Sequence, residues 1–423
     1  MKFIASRSEI SGAVSIPGSK SHTIRAVFFA SLAKGLSVIS APLLSSDTES
    51  ALRICGQLGA KINRTAGEIR IEGFNGIPRV PPDILNVDNS GTTLRIALST
   101  ACLIDGYSVF TGDDQIRNRP LEPLIKALNN LGASVTSTPG NGKAPVIVRG
   151  KARGGKTDLK AVSSQYLTSL LMNAPLFEKK TEITLTELNE RPYVEMTLAW
   201  LDELGIRYEN QNFRKFIIPA PQEYKAFRKT IPGDFSSASF FLALGALSPD
   251  PVVLKNLQMS DPQGDKRLVS ILREMGAEIE LGKDSISVKG GRLKGIRIDM
   301  NDIPDALPVM SVLGCFAEGT TELTNVPQAR LKETDRINVM RIELEKMGAN
   351  IEEKPDGLVI RHSSLKPALV SGHGDHRVVM ALTVAGLQLA GETTIDTAEA
   401  VRVTFPDFAE LIRACGGRLD IKD

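Results

Sequence analysis

One feature limits what this chain can fold into more than any other: it repeats itself six times. The segments ALRICGQLGAKI, LIKALNNLGASV, TLAWLDELGIRY, LVSILREMGAEI, IELEKMGANI and LIRACGGRLDI each end an amphipathic helix on a glycine and run into alternating residues. The glycines Gly59, Gly132, Gly205, Gly276, Gly348 and Gly416 recur about every seventy residues. Each stands where a helix closes in the left-handed conformation, which glycine adopts without a Cβ penalty. The residues beyond each glycine, as in AKINRTAGEIRIEG and AEIELGKDSISVKG, alternate with period 2 around a turn and predict antiparallel hairpins.

A second helix opens in every repeat. The starts read PGSKSHTIR, DNSGTTLR, VSSQYLTSLLM, GDFSSASFF, IPDALPVM and GDHRVVMAL, and their markers Lys20, Gly91, Ser164, Ser236, Asp305 and His376 keep the same period. Ser, Asn or Asp stands at capping positions before bodies apolar enough to require burial. The repeat therefore reads strand, helix, strand, helix, strand, strand. Six copies predict an α+β chain with helices packed inside and sheets outside. At 423 residues the chain exceeds one ordinary core. The mixture of proline, glycine and charge in PAPQEYKAFRKTIPG (219–233) places a domain boundary after the third repeat.

A net charge of +2 argues against a nucleic-acid or membrane surface as partner, so any recognition of anions must be local. The start MKFIASRSEI has no apolar signal core and no later segment reaches the length of a membrane span, which predicts a cytoplasmic protein. Cys55, Cys102, Cys315 and Cys415 are dispersed without a CxxC pair and read as buried thiols in a reducing compartment. HGDH (373–376) has no further Cys or His nearby in sequence, so no metal site is expected, and neither a P-loop nor a GxGxxG fingerprint is present.

If the second helices pack in parallel, their N-termini gather on one face, where free N–H groups and dipoles make a positive potential. Two such faces across a cleft would hold a polyanionic small molecule. Lys20, Arg25 and Arg377 are cations set against the dipole, which a bound anion would explain. Asn89, Arg95, Ser163, Ser164, Gln165 and His376 stand at the same helix starts, and Arg119 just before another helix. RLKETDR (330–336) sets Lys332 and Arg336 four apart, hence on one helical face, beside Glu333 and Asp335. Asp305, a lone carboxylate at a helix start among apolar neighbours, is a candidate general base.

Taken in order, PGSKSHTIR, NSGTTLR, RPLEPL, SSQYLTSLLM, RPYVEMT, GDFSSASFF, IPDALPV, RLKETDR, GDHRVVMA and TFPDF make the chain resemble the 5-enolpyruvylshikimate-3-phosphate synthase family, from about residue 6 to the C-terminus. The resemblance implies two inside-out α/β barrel domains of three βαβαββ repeats each, residues 1–17 with 229–423 and residues 18–228. A double-crossing hinge near 15–20 and 222–233 would close on substrate. It implies enolpyruvyl transfer from phosphoenolpyruvate to the 5-hydroxyl of 3-phosphoshikimate, the sixth step of the shikimate pathway to chorismate and the aromatic amino acids. No metal or organic cofactor is expected, and the family expectation is a monomer. By motif position, Lys20 would touch both substrates and aid proton transfer, Asp305 would accept the hydroxyl proton, and Glu333 would handle the proton at C3 of phosphoenolpyruvate. Ser21 and Arg25 would hold the shikimate carboxylate; Ser163, Ser164 and Gln165 its phosphate. Arg191, Tyr193, Gln328 and Lys332 complete that substrate's set. Asn89, Gly91, Arg119, Gln165, Arg336, His376 and Arg377 would surround phosphoenolpyruvate.

Three positions depart from the family pattern. Glu190 stands where the family often has Ser; an anion there sits badly beside a phosphate, so either Arg191 takes over or Glu190 points away. Gln328 replaces a frequent Asn and keeps the amide. Val403 occupies the place of an expected lysine, with Arg402 one residue earlier, and a one-residue slip on a strand would turn Arg402 away. The rival readings are the sister transferase acting on UDP-N-acetylglucosamine, an RNA 3′-phosphate cyclase, and a non-catalytic anion-binding repeat protein. The first typically carries a cysteine on the loop corresponding to TGDDQIRNRP, where this chain has none; the second needs nucleic-acid surfaces; the third leaves Asp305 and Glu333 without purpose.

Overall fold

The computed structural model describes residues 1–423. The chain divides into two compact units: a discontinuous one, Met1–Ser19 with Pro232–Asp423, and a continuous one, Lys20–Ile231. Each is built on three helices with no solvent face. In the continuous unit these are Lys20–Leu32, Gly91–Ala101 and Ser164–Asn173; in the discontinuous unit, Phe235–Leu247, Leu307–Phe316 and His376–Gly386. All eleven residues of the Gly91 helix are buried, so its body must lie in the core rather than on it. The second helix type is one-sided: Arg267–Met275 buries Leu268, Val269, Ile271, Leu272 and Met275 and exposes its charges. All six repeat glycines close their helices at positive φ, from 70° at Gly205 to 116° at Gly59.

The strands form six separate four-stranded sheets. Each pairs one strand in parallel with the strand that follows a core helix; five then add an antiparallel hairpin, and the sixth adds two antiparallel strands from opposite ends of the chain. Gly155–Ala161, for example, runs parallel to Thr181–Leu188, which pairs antiparallel with Lys215–Ile218. Two of the parallel strands are exchanged. Gly12–Ser15 leads into the Lys20 helix yet pairs with Val252–Lys255, and Arg228–Thr230 leads towards the Phe235 helix yet pairs with Leu36–Ser40. The chain therefore passes between units at Ser19/Lys20 and Ile231/Pro232, slightly beyond residues 17 and 228, because these strands stay with the unit being left. Lys2–Ser6 fills the sixth sheet between Glu392–Ile395 and Arg418–Lys422.

The repeat period becomes a contact map inside the continuous unit. At one end of the neighbouring Gly91 and Ser164 helices, Gln165 Nε2 donates to Thr92 Oγ1 (3.0 Å) and Arg95 Nη1 to Gln165 Oε1 (2.7 Å). Towards the other end Ser99 and Ser169 share a hydroxyl contact, and Thr100 Oγ1 donates to Asn173 Oδ1 (3.0 Å). Start meets start and end meets end, so the two helices run parallel and their N-termini lie side by side. Buried hydroxyls satisfied in this way fix the register that apolar packing alone would leave loose.

Candidate active site

The continuous unit gathers its charged side chains at these helix starts. Lys20, the first residue of its helix, places Nζ 3.1 Å from Asp47 Oδ2, both largely buried. Arg25 is buried and held by neutral groups: Nε donates to Thr197 Oγ1 (3.0 Å), Nη1 to the Ser21 carbonyl (3.1 Å) and Nη2 to the Tyr193 carbonyl (2.9 Å). Burial lowers its guanidinium to about 10, still cationic at neutral pH. Gly91 opens its helix between two buried guanidinium groups: a Cβ there would lie 2.5 Å from Arg95 Nη1 and 2.6 Å from Arg119 Nη1. The Arg95 Nε is buried and has no hydrogen-bond partner. Ser163 caps the next helix, its hydroxyl accepting from the Gln165 N–H at 3.4 Å.

The discontinuous unit holds a denser cluster. Asp305 Oδ1 lies 2.8 Å from Arg336 Nη1 and 3.7 Å from Lys332 Nζ, while its Oδ2 lies 2.9 Å from Arg377 Nη2. Arg336, 1% exposed, also meets Glu333 Oε2 at 2.5 Å and Asp375 Oδ2 at 2.8 Å. Burial opposes its charge, but Asp375, Glu333 and Asp305 outweigh that and hold the guanidinium above its ordinary range. Asp375 is the hub: it caps the His376 helix through the Arg377 N–H (2.9 Å) while binding Arg336. His376 is buried, neither ring nitrogen has a partner, and burial pushes its imidazole down to about 3, so it is neutral at pH 7. Three carboxylates, Asp305, Glu333 and Asp375, thus interleave with three cations, Lys332, Arg336 and Arg377. Such a balanced, partly buried cluster is suited to exchange internal partners for a polyanion and to move a proton.

Comparison with known proteins fits this arrangement. A family profile described as EPSP synthase (3-phosphoshikimate 1-carboxyvinyltransferase) matches residues 4–412. The chain belongs to that family. It is 58% identical over 410 residues to the 3-phosphoshikimate 1-carboxyvinyltransferase of Acetivibrio thermocellus, covering 97% of each chain. It is 56% identical over 415 residues to the enzyme of that name from Ruminiclostridium cellulolyticum, covering 98% of each. The solved EPSP synthase of Acinetobacter baumannii superposes with a TM-score of 0.83 at 27% identity over the full length of both chains. No helix is long and apolar enough to cross a membrane.

Other residues singled out in the sequence sit in surroundings that local pattern does not give. Lys332 and Arg336 do not share a helical face: Pro327–Leu331 is a 3-10 turn, 332–334 a bend, and the helix, capped by Asp335, begins only at Arg336. The bend nevertheless delivers both cations to Asp305, which sits in a 3-10 turn, Pro304–Ala306, ahead of its helix. Arg191 is turned outward. It is exposed, pairs with Glu195 (Nε–Oε1 2.9 Å) and lies over the Phe213 ring at 4.1 Å. Glu190 does not point away: it is 2% exposed, and its Oε2 accepts from the Ser164 N–H (3.2 Å) and hydroxyl (2.8 Å). Arg402 is exposed on a 3-10 helix, Ala398–Val403, not on a strand, so the alternation argument does not apply to it. Asn89 turns its amide to Asp113 Oδ2 (2.6 Å) and Gln115 Oε1 (2.7 Å), and Gln328 donates to the Asn301 carbonyl (3.0 Å). Tyr193 is half-buried, and its carbonyl accepts from Arg25 Nη2. Asp47 and Asp375 escape a reading of the sequence, because a carboxylate in a first turn or at an N-cap looks like ordinary capping.

Proposed function

We propose that this chain is a 3-phosphoshikimate 1-carboxyvinyltransferase. It moves the enolpyruvyl group of phosphoenolpyruvate onto the 5-hydroxyl of 3-phosphoshikimate, giving 5-enolpyruvylshikimate 3-phosphate and phosphate in the shikimate pathway. The observation that carries the reading is Asp305, a carboxylate gripped by Lys332, Arg336 and Arg377 in a chain of this family. In this reading Asp305 takes the proton of the 5-hydroxyl as its oxygen bonds to C2 of phosphoenolpyruvate. A proton enters at C3, and the resulting tetrahedral species expels phosphate as C3 gives a proton back. Glu333 handles the C3 proton, and Lys20, held ready by Asp47, serves both substrates. Ser21 and Arg25 hold the shikimate carboxylate; Ser163, Ser164 and Gln165 its phosphate, with Tyr193, Gln328 and Lys332 beside the ring. Gly91, Arg119, Arg336, His376 and Arg377 surround phosphoenolpyruvate, and Asn89 lends its backbone to that helix start. Catalysis needs no metal or organic cofactor in this scheme.

We read the architecture further as two inside-out α/β barrel domains of three repeats each, a monomer working in the cytoplasm and closing on its substrates. The test is release of phosphate from phosphoenolpyruvate in the presence of 3-phosphoshikimate, run in parallel with UDP-N-acetylglucosamine. Release with the first alone is expected. Release with the second alone assigns the sister activity, and silence with both leaves an anion-binding repeat protein.

A further inference from the structure

Glu190 places a buried negative charge on the very groups proposed to hold the phosphate of 3-phosphoshikimate. Ser164 has one backbone N–H and one hydroxyl to offer at its helix start, and both are taken by Glu190 Oε2, at 3.2 and 2.8 Å. Ser163 caps that helix through the Gln165 N–H alone, so Glu190 holds the one start N–H and the one hydroxyl that Ser164 could otherwise turn to an anion. The backbone does not favour this arrangement. Glu190 sits at φ 58°, ψ 43°, in the left-handed region that residues with a side chain rarely adopt. Its neighbour Arg191 is turned outward onto Glu195. A strained residue held so that its carboxylate meets an anion-binding helix start points to function rather than to packing.

We propose that Glu190 is an intramolecular competitor of the substrate's phosphate: 3-phosphoshikimate binds by displacing the Glu190 carboxylate from Ser164. The carboxylate holds the helix start in register before substrate arrives. It then swings aside, so part of the phosphate's binding energy goes into that exchange, and affinity for the phosphorylated substrate is set by the residue at 190. This rests on the assignment of 3-phosphoshikimate as substrate and concerns only its phosphate.

The test compares wild type with Glu190→Gln, which keeps the shape without the charge, and Glu190→Asn, which tolerates the left-handed backbone and is too short to reach Ser164. Titration calorimetry reads Kd for 3-phosphoshikimate, for inorganic phosphate and for shikimate, which lacks the phosphate; steady-state assays read KM for each substrate. Both variants are expected to bind 3-phosphoshikimate and inorganic phosphate about tenfold tighter, a change of about 1.4 kcal/mol. Shikimate affinity and KM for phosphoenolpyruvate should move less than twofold. Weaker or unchanged phosphate binding in Glu190→Gln overturns the proposal, as does equal tightening towards shikimate; where the two variants differ, the isosteric one decides. Absence of enolpyruvyl transfer by wild type would instead defeat the substrate assignment, and the inorganic-phosphate arm would still report on Glu190.

Discussion

Replacing Gly91 by alanine separates what the fold needs from what the site needs. The new Cβ would stand 2.5 Å from Arg95 Nη1 and 2.6 Å from Arg119 Nη1, whereas non-bonded atoms rest at about 3.5 Å or more. Each guanidinium tip must therefore withdraw by about 1 Å. Both clashing atoms are the ends of flexible side chains, so the fold absorbs the change cheaply. Gly91 is helical, and alanine there gains at most about 1 kcal/mol of backbone entropy over glycine. At about 2–4 °C per kcal/mol for a unit of this size, Tm should hold or rise by up to about 4 °C. The site fares differently, since Arg95 also carries Gln165 at 2.7 Å and a 1 Å misplacement of a positioning group can cost on the order of 10²-fold in rate. Thermal unfolding and steady-state phosphate release with each substrate varied in turn are the assays. KM for phosphoenolpyruvate should rise at least tenfold while Tm does not fall. A drop in Tm of more than about 4 °C would show that the backbone bears the clash, and an unchanged KM would show that the guanidinium tips do not meet that substrate.

Lys20→Ala and Asp305→Asn should each cut turnover by about 10²–10⁴-fold with the far-ultraviolet circular dichroism retained; near-normal rates in both would sink the site assignment. Asp375→Asn removes a buried partner of Arg336 and should cost about 3–5 kcal/mol, read as a denaturant midpoint shift at constant m. For Asp375 itself burial works to raise the carboxyl, but Arg336 outweighs it and holds it below the ordinary carboxylate range. Its stabilising contribution is therefore present above the unfolded value near 4 and is lost as pH falls through the lower folded value; Asp375→Asn should flatten that acid limb of the stability curve. Burial holds His376 down to about 3, so its ring proton signals should not titrate between pH 5 and 9, and a mid-range inflection would show that water reaches the ring.

Much of the fold is written in local pattern. Six helix-closing glycines, six capped apolar helix starts and hairpins of period 2 are short-range features, each set by backbone sterics or by the burial of one face. They recur at a fixed spacing, and the same spacing reappears as contacts between Arg95 and Gln165, Ser99 and Ser169, Thr100 and Asn173. Cations against a helix dipole likewise flag Lys20, Arg25 and Arg377 from sequence alone. Tertiary structure decided the rest, because which charge faces which depends on residues far apart in the chain. Asp47 reaches Lys20, Asp375 reaches Arg336, and a bend rather than a helix brings Lys332 to Asp305. Exchange of the Gly12–Ser15 and Arg228–Thr230 strands between sheets is equally non-local, since a strand's partner is chosen by the edge it meets. Position 190 shows the limit most clearly. An anion beside an expected phosphate site leaves two outcomes in the sequence, Arg191 taking over or Glu190 pointing away, yet at a left-handed backbone the arginine turns out and the carboxylate turns in to Ser164.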